Sequence, residues 1–270
     1  MTYTTIKLEL DNGVAHVILD RPEKANALNK AMWMELKTAL EWCDQSGEVR
    51  AVVLSGEGRH FCAGLDMAML MTVQTTIDDE CDGRKREKLR DLILQLQACV
   101  SSLEHCRKPV VAAISGSCLG GGLDIALAAD FRYASQSAVF GVREVQLGMV
   151  ADVGTLQRLP RIVGEGQARE LALTGRDFDA NEALSIRLVN RVLPDQSSLL
   201  IAALDAAHLM ASRSPLAVRG SKQVLNFSRD HSIADGLEYV ATWNAAMLLS
   251  EDIQKAGMAA FTHQEAQFRD

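Results

Sequence analysis

Three acids stand close in sequence among glycines and apolar residues: Asp124, Glu144 and Asp152. Carboxyl groups serve as general acids and bases, and two held apart can take a proton from one atom and return one elsewhere. Apolar surroundings raise a carboxyl pKa by desolvation, which lets the acid donate near neutrality. Leu147, Met149, Val150 and Val153 are surroundings of that kind. Each acid also has an ordinary reading. Asp124 can sit at a helix start, where the dipole favours an acid, Glu144 can lie on the surface, and Asp152 can cap a helix over "VGTLQRL".

Asp124 closes the stretch "SGSCLGGGLD", whose three adjacent glycines cost about 0.5–1 kcal/mol each against alanine in a regular element. They imply a sharp bend or a close approach. A Walker phosphate loop needs Lys-Ser/Thr where Leu123-Asp124 stand, and "GSCLGGG" does not supply a dinucleotide fingerprint. Tight packing of helix on strand is one reading of the triplet. An earlier segment shifts the balance. "RAVVLSGEGRHFCAGLD" and "KPVVAAISGSCLGGGLD" both run from an apolar strand into a loop ending Gly-Leu-Asp. Two such units can aim one backbone N–H each at the same point, which is how an oxyanion hole holds charge on a carbonyl oxygen.

The elements that must position these groups are legible too. "TIKLELDNGVAHVILD" is two alternating runs around Asp11-Asn12-Gly13, a hairpin signal. Asn29 can cap a helix carrying Trp33, Leu36, Leu40 and Cys43 at helical spacing. Residues 78–106 read as one long helix with Leu89, Ile93, Leu96, Val100 and Leu103 inward, and "FRYAS" as a short strand. Continuously apolar strands alternating with helices indicate an α/β sheet covered on both faces. From about residue 195 the chain reads as helical, with Ser214-Pro215 a helix start. The division is a mixed α/β core over 1–194 and a helical region over 195–270.

With 48% hydrophobic and 23% charged residues in 270, a large core is available. A net charge of −7 argues against nucleic-acid or acidic-membrane binding, and "RKREKLR" reads as a solvated helix face. The six cysteines form no CxxC pair, the histidines no HExxH, and no apolar run spans a membrane. Reduced thiols, a start "MTYTTIKLEL" without a secretory signal and an end "QEAQFRD" without a peroxisomal tripeptide give the expectation of a cytoplasmic protein without metal.

"RPEKANALN", "FCAGLDMAML", "GSCLGGGLDIALAAD", the 139–164 segment "VFGVREVQLGMVADVGTLQRLPRIVG" and "EDIQKAGMAAF" together resemble the signature segments of the crotonase (enoyl-CoA hydratase/isomerase) superfamily. The resemblance covers nearly the whole chain. It implies a spiral of β-β-α turns, a C-terminal helical trimerisation region, and an acyl-CoA thioester ligand. It also implies a homotrimer or a dimer of trimers and a place in fatty-acid β-oxidation, with no cofactor beyond the coenzyme A of the substrate. Carried onto this chain, it makes the N–H groups of Leu65 and Gly121 the oxyanion donors. Substrate contacts would come from Lys24, Ala25, Ala27, Ala63, Gly64, Asp66, Met67 and Gly120, with Arg21 and Lys24 near the nucleotide. Lys255 and Phe261 would border the adenine.

Within the superfamily, the set Asp124, Glu144 and Asp152 resembles the dienoyl-CoA isomerases, which convert a 3,5-diene to a 2,4-diene. By that resemblance Glu144 is the base at C2, Asp152 the acid at C6, and Asp124 an assisting group. Hydratases typically carry Glu where Asp124 stands, and Pro and Gly where "MVADVG" runs. Hydration of an enoyl-CoA, or isomerisation of a single double bond, is the alternative chemistry. A non-catalytic protein binding acyl-CoA or RNA on the same fold is the alternative of another class.

Overall fold

The Asp11-Asn12-Gly13 turn closes a hairpin between β1 (Ile6–Asp11) and β2 (Val14–Leu19), with Asn12 and Gly13 at φ of 47° and 83°. Two-residue hairpin turns of this hand need positive φ at both positions, which Asn and Gly accept. The computed structural model describes residues 3–269. A short 3-10 turn (Pro22–Lys24) leads to α1 (Lys30–Gln45), where Asn29 Oδ1 accepts the Met32 N–H at 2.8 Å. Then follow β3 (Ala51–Gly56), α2 (Met67–Thr76), α3 (Asp82–His105), β4 (Val110–Ile114), β5 (Ser117–Leu119) and α4 (Gly121–Ala128). Next come β6 (Phe131–Ser135), β7 (Val139–Gly141), a 3-10 turn (Glu144–Leu147), α5 (Thr155–Val163) and α6 (Glu165–Thr174). The chain continues through β8 (Asp177–Asp179), α7 (Ala180–Ser185), β9 (Arg191–Leu193), α8 (Gln196–Ala211), α9 (Pro215–Arg229), α10 (Ile233–Met247) and α11 (Glu251–Thr262).

The larger sheet runs β1-β2-β3-β4-β6-β9 and is parallel beyond the first hairpin; the smaller runs β5-β7-β8. Strands pass from one sheet to the other, β4 to β5 and β6 to β7, with α4 closing the first of these turns. This is a spiral of β-β-α turns.

The apolar strands are explained by their two covered faces. Val52 and Leu54 of β3 point into one core with Leu36, Leu40 and Leu103, while Ala51 and Val53 point into a second with Leu199, Ala203 and Ala207 of α8. A period of two with both sides buried leaves no polar position to alternate. The first helix beyond residue 195 therefore covers the sheet.

Two expectations change. The long helix starts at Asp82, not at 78, because Asp79 Oδ1 accepts the Cys81 N–H at 2.9 Å and fixes a turn there. Its burial is complete only around Cys99, Val100 and Leu103, whereas Leu89, Ile93 and Leu96 are half-buried. Beyond α8, α9 is anchored by Lys222, whose buried Nζ donates to the carbonyls of Leu103 and Lys108 at 3.0 Å and to Asp130 Oδ2 at 2.8 Å. The helices around it leave Leu225, Ile233, Leu237, Leu249 and Phe261 exposed.

Candidate active site

The two Gly-Leu-Asp loops lie side by side as main chain. Phe61 N–H donates to Ser115 O at 2.7 Å, Cys62 N–H to Ser117 O at 2.8 Å, and Leu119 N–H to Cys62 O at 3.0 Å. Cys62 and Cys118 face each other in this pairing, both fully buried free thiols, and burial pushes the Cys62 thiol up to about 12. Such thiols are inert. On the other side, Leu28 N–H donates to Gly64 O at 2.8 Å and Asp66 N–H to Leu28 O at 3.1 Å. The run holding residues 62–66 is thus fastened along both edges. Among the described residues, the N–H groups of Leu65 and Gly121 have no main-chain acceptor.

The glycines do different jobs. Gly64 sits at φ 95°, and a Cβ there would lie 2.8 Å from Leu119 O and 3.6 Å from Gly121 N, so it permits the approach of the two loops. Gly120 is at φ 47°, and its missing Cβ leaves room for Glu144 Oε1, which would be 3.1 Å away. Gly121 and Gly122 back into protein: a Cβ would meet Leu28 Cδ1 at 2.9 Å and Cys62 O at 2.6 Å respectively. Close packing and close approach to a site thus both hold, at different positions of one triplet.

A cavity of about 440 Å³ opens over these loops, lined by Lys24, Ala27, Ala63, Gly64, Leu65, Asp66, Met67, Gly120, Gly121 and Glu144, with Leu119, Arg143, Gln146, Leu147 and Met149. Most of the expected contact residues are there. Ala25 is not; its carbonyl accepts the Ala63 N–H at 3.0 Å, so it shapes the loop rather than the wall. Arg21 is held by Asp66 Oδ2 at 2.9 Å and the Ala27 carbonyl, both through Nη1. Lys255 pairs with Glu251 on α11 at 2.8 Å and Phe261 is exposed there; neither lines this cavity. Within one chain α11 stands apart from this cavity. Of the methionines, Met67 lines the cavity, Met69 lines another on the far side of α2, and Met71 is exposed.

The three acids form a graded series. Asp124 is fully buried in the first turn of α4 and does not reach the cavity wall; its Oδ1 accepts the Thr155 N–H at 2.6 Å while Oδ2 has no partner among the described residues. Burial pushes its carboxyl up to about 7, opposed by the Thr155 hydrogen bond and helped by the Glu144 charge. Glu144 lines the cavity, half-buried, with Oε2 unpartnered. Burial raises its pKa, backbone N–H groups oppose the rise, and the charge of Asp152 adds to it. Asp152 is exposed between the buried Ala151 and Val153 ahead of α5 and is not among the residues lining this cavity; partial burial of its carboxyl raises its pKa. Like charges disfavour joint ionisation, so these acids hold protons that isolated carboxyls would shed. Sequence reading missed the Thr155 N–H: backbone donors carry no residue signature.

This fold and site have counterparts. Residues 9–270 match the profile of the enoyl-CoA hydratase/isomerase family, and the chain belongs to that family. It is 44% identical, over 99% of its length and 96% of the relative's, to the peroxisomal Delta(3,5)-Delta(2,4)-dienoyl-CoA isomerase of Arabidopsis thaliana. It is 44% identical to the mitochondrial protein of the same name from Homo sapiens, over 93% of this chain and 77% of that one. Among solved structures, the enoyl-CoA hydratase of Bacillus anthracis superposes with a TM-score of 0.89 at 30% identity, covering 98% of this chain and 99% of that one.

These relatives overturn the cytoplasmic expectation, since they are peroxisomal and mitochondrial proteins. Buried reduced thiols separate a reducing compartment from an oxidising one and do not discriminate among reducing ones.

Proposed function

We propose that this protein isomerises 3,5-dienoyl-CoA thioesters to the conjugated 2,4-dienoyl form. The observation that carries the reading is Glu144 on the cavity wall with a second acid, Asp152, near enough that its charge adds to the rise of the Glu144 pKa. The dienoyl-CoA isomerase names of the relatives support the same chemistry.

The thioester oxygen lies between the N–H groups of Leu65 and Gly121, neither of which has another main-chain partner. Glu144 as carboxylate takes the C2 proton, and the electron pair spreads along the dienolate toward C6. Asp152 as carboxylic acid gives its proton to C6, leaving double bonds at C2 and C4. Solvent exchange resets both groups. The reaction needs one acid ionised and the other protonated, and mutual repulsion favours that mixed state over double ionisation. Asp124 stays behind Glu144 as a buried neighbour whose own protonation alters the charge that Glu144 feels. Lys24 and Ala27 at the cavity edge are the proposed contacts to the coenzyme A portion.

Incubation with a 3,5-dienoyl-CoA is expected to generate the 2,4-dienoyl chromophore. Hydration of a 2-enoyl-CoA with no such chromophore would make the hydratase reading the better one.

The assembly proposed is a trimer or a dimer of trimers, with the apolar residues of α9–α11 as the surface that copies cover. Light scattering at micromolar concentration is expected to give three or six chains per particle. A stable monomer contradicts the assembly and leaves those side chains in water.

A further inference from the structure

Behind the acids lies a second cavity of about 500 Å³, walled by α3, α5 and the end of α9. Gln97, Ser101 and Glu104 line it from α3, and a spacing of four then three places them on one helix face. Gln97 reaches the segment that carries Asp152 directly, and Ser101 and Glu104 reach it through Arg158 of α5. Gln97 Nε2 donates to the Asp152 carbonyl at 2.6 Å. Ser101 Oγ and Glu104 Oε2 accept from Arg158 Nη2 at 3.2 and 2.6 Å. Arg158 Nη1 reaches back to the Val153 carbonyl at 3.4 Å. A Cβ on Gly154 would lie 1.7 Å from Nη1, so the guanidinium occupies the space this glycine leaves. Between Gly154 and Arg158 stands Thr155, whose N–H holds Asp124.

We propose that Arg158 is a positioning residue for the reaction: braced by Ser101 and Glu104, and with Gln97 holding the Asp152 carbonyl beside it, Arg158 fixes the 152–155 segment so that Thr155 N–H meets Asp124 and Asp152 stays beside Glu144. The inference rests on the isomerase reading above. Residues 152–154 belong to no helix or strand, and Gly154 at φ 133° permits conformations other residues avoid. Rigid contacts must therefore supply what regular structure does not. The network is not optimised for ion pairing alone, because Arg158 Nε is buried without a partner.

The charge has a second effect. Asp124 faces Glu144 from the 3-10 turn, Arg158 from α5 and the Cys118 thiol from β5, and Glu144 faces Asp152. Arg158 is the cation in that group and favours the Asp124 carboxylate. Arg158 is itself paired to Glu104, which also accepts from Arg229 of α9 at 2.5 Å, and Arg161 pairs with Asp230 at 3.0 Å. Although burial pushes it up, Arg158 and Arg229 hold the Glu104 carboxyl below the usual range, so it stays ionised.

The test uses full-length Arg158→Met, Arg158→Lys and Gln97→Ala. Arg158→Met is expected to lower kcat about 10²-fold, the scale of a misplacement of about 1 Å, with KM little changed. The pH limb that Asp124 imposes through Glu144 moves upward, because the Met variant removes the cation that favours the Asp124 carboxylate. Arg158→Lys keeps the charge but not the planar fork, so it restores the limb and not kcat. Gln97→Ala lowers kcat without moving the limb. A folded Arg158→Met enzyme with unchanged kcat and pH profile overturns the proposal, as does full rescue of kcat by Lys. If Arg158→Met does not fold, Gln97→Ala decides, since it leaves every ion pair intact; an unchanged kcat there is fatal. Carbon-13 NMR titration of Asp124, independent of substrate, is expected to shift upward in the Met variant. Wild-type protein that yields no 2,4-dienoyl product overturns the isomerase reading instead, while the NMR titration still reports on Arg158.

Discussion

Asp152→Asn is expected to lose dienoyl isomerisation by about 10²–10⁴-fold, the usual worth of a placed proton-transfer group, while still exchanging the C2 proton of a bound thioester with deuterium. The amide keeps the size of the side chain and removes the acid that serves C6. Abstraction at C2 uses Glu144 and the two loop N–H groups, which the substitution leaves in place. Glu144→Gln is expected to lose both activities. Mass spectrometry of recovered thioester in D₂O reads the exchange, and absorbance of the conjugated diene reads the isomerisation. Wild-type isomerisation by Asp152→Asn would leave Asp152 as nothing more than part of a loop.

The second large effect is on stability. Asp124 is fully buried with a folded carboxyl near 7, against 3.8 when solvated. Between those values the native chain holds a proton that the unfolded chain does not. Stability from this group is therefore fully present below pH about 4 and falls as pH rises through about 7. Above that, the buried charge costs roughly 4 kcal/mol. Asp124→Asn is neutral at every pH and its oxygen can still accept the Thr155 N–H. Urea unfolding at one protein concentration is expected to show the variant more stable than wild type at pH 8, by a few kcal/mol less any cost of the buried amide. The two should converge near pH 4. Parallel pH profiles for the two proteins would show that Asp124 titrates normally. Native proteins tolerate such a cost at sites where chemistry needs it.

Much of this arrangement was legible in the sequence. The hairpin was announced by Asp11-Asn12-Gly13, the helix after Asn29 by its cap and spacing, and the two loops by their shared Gly-Leu-Asp ending. These are local signals, in which backbone conformation limits the residue. The start of α3 was misread because Asp79 acts through a single side-chain hydrogen bond that helical periodicity does not register. The grading of the acids was also hidden. Nothing in the spelling of Asp124 says that it lies behind Glu144 with one oxygen unpartnered, since burial depends on how α4 packs. The Arg158 brace joins residues far apart in sequence, and only the fold brings Glu104 to Arg158, Arg229 to Glu104 and Gln97 to the Asp152 carbonyl. Lys255 and Phe261 show the converse: a resemblance can assign a place that one chain by itself does not build.

The two loop donors have a consequence for how such a protein can be altered. Both N–H groups belong to the peptide backbone, on runs fastened by other peptide bonds' hydrogen bonds from Ala25 through Cys62 to Ser117. The cavity wall around them carries the side chains of Met67, Leu147 and Met149. Randomising the residues of that wall reshapes the space for an acyl chain while the donors keep their spacing. A library built there samples new substrates on an unchanged anion receptor. Replacing Gly64, which lets the two runs touch, would spoil every member of the library at once.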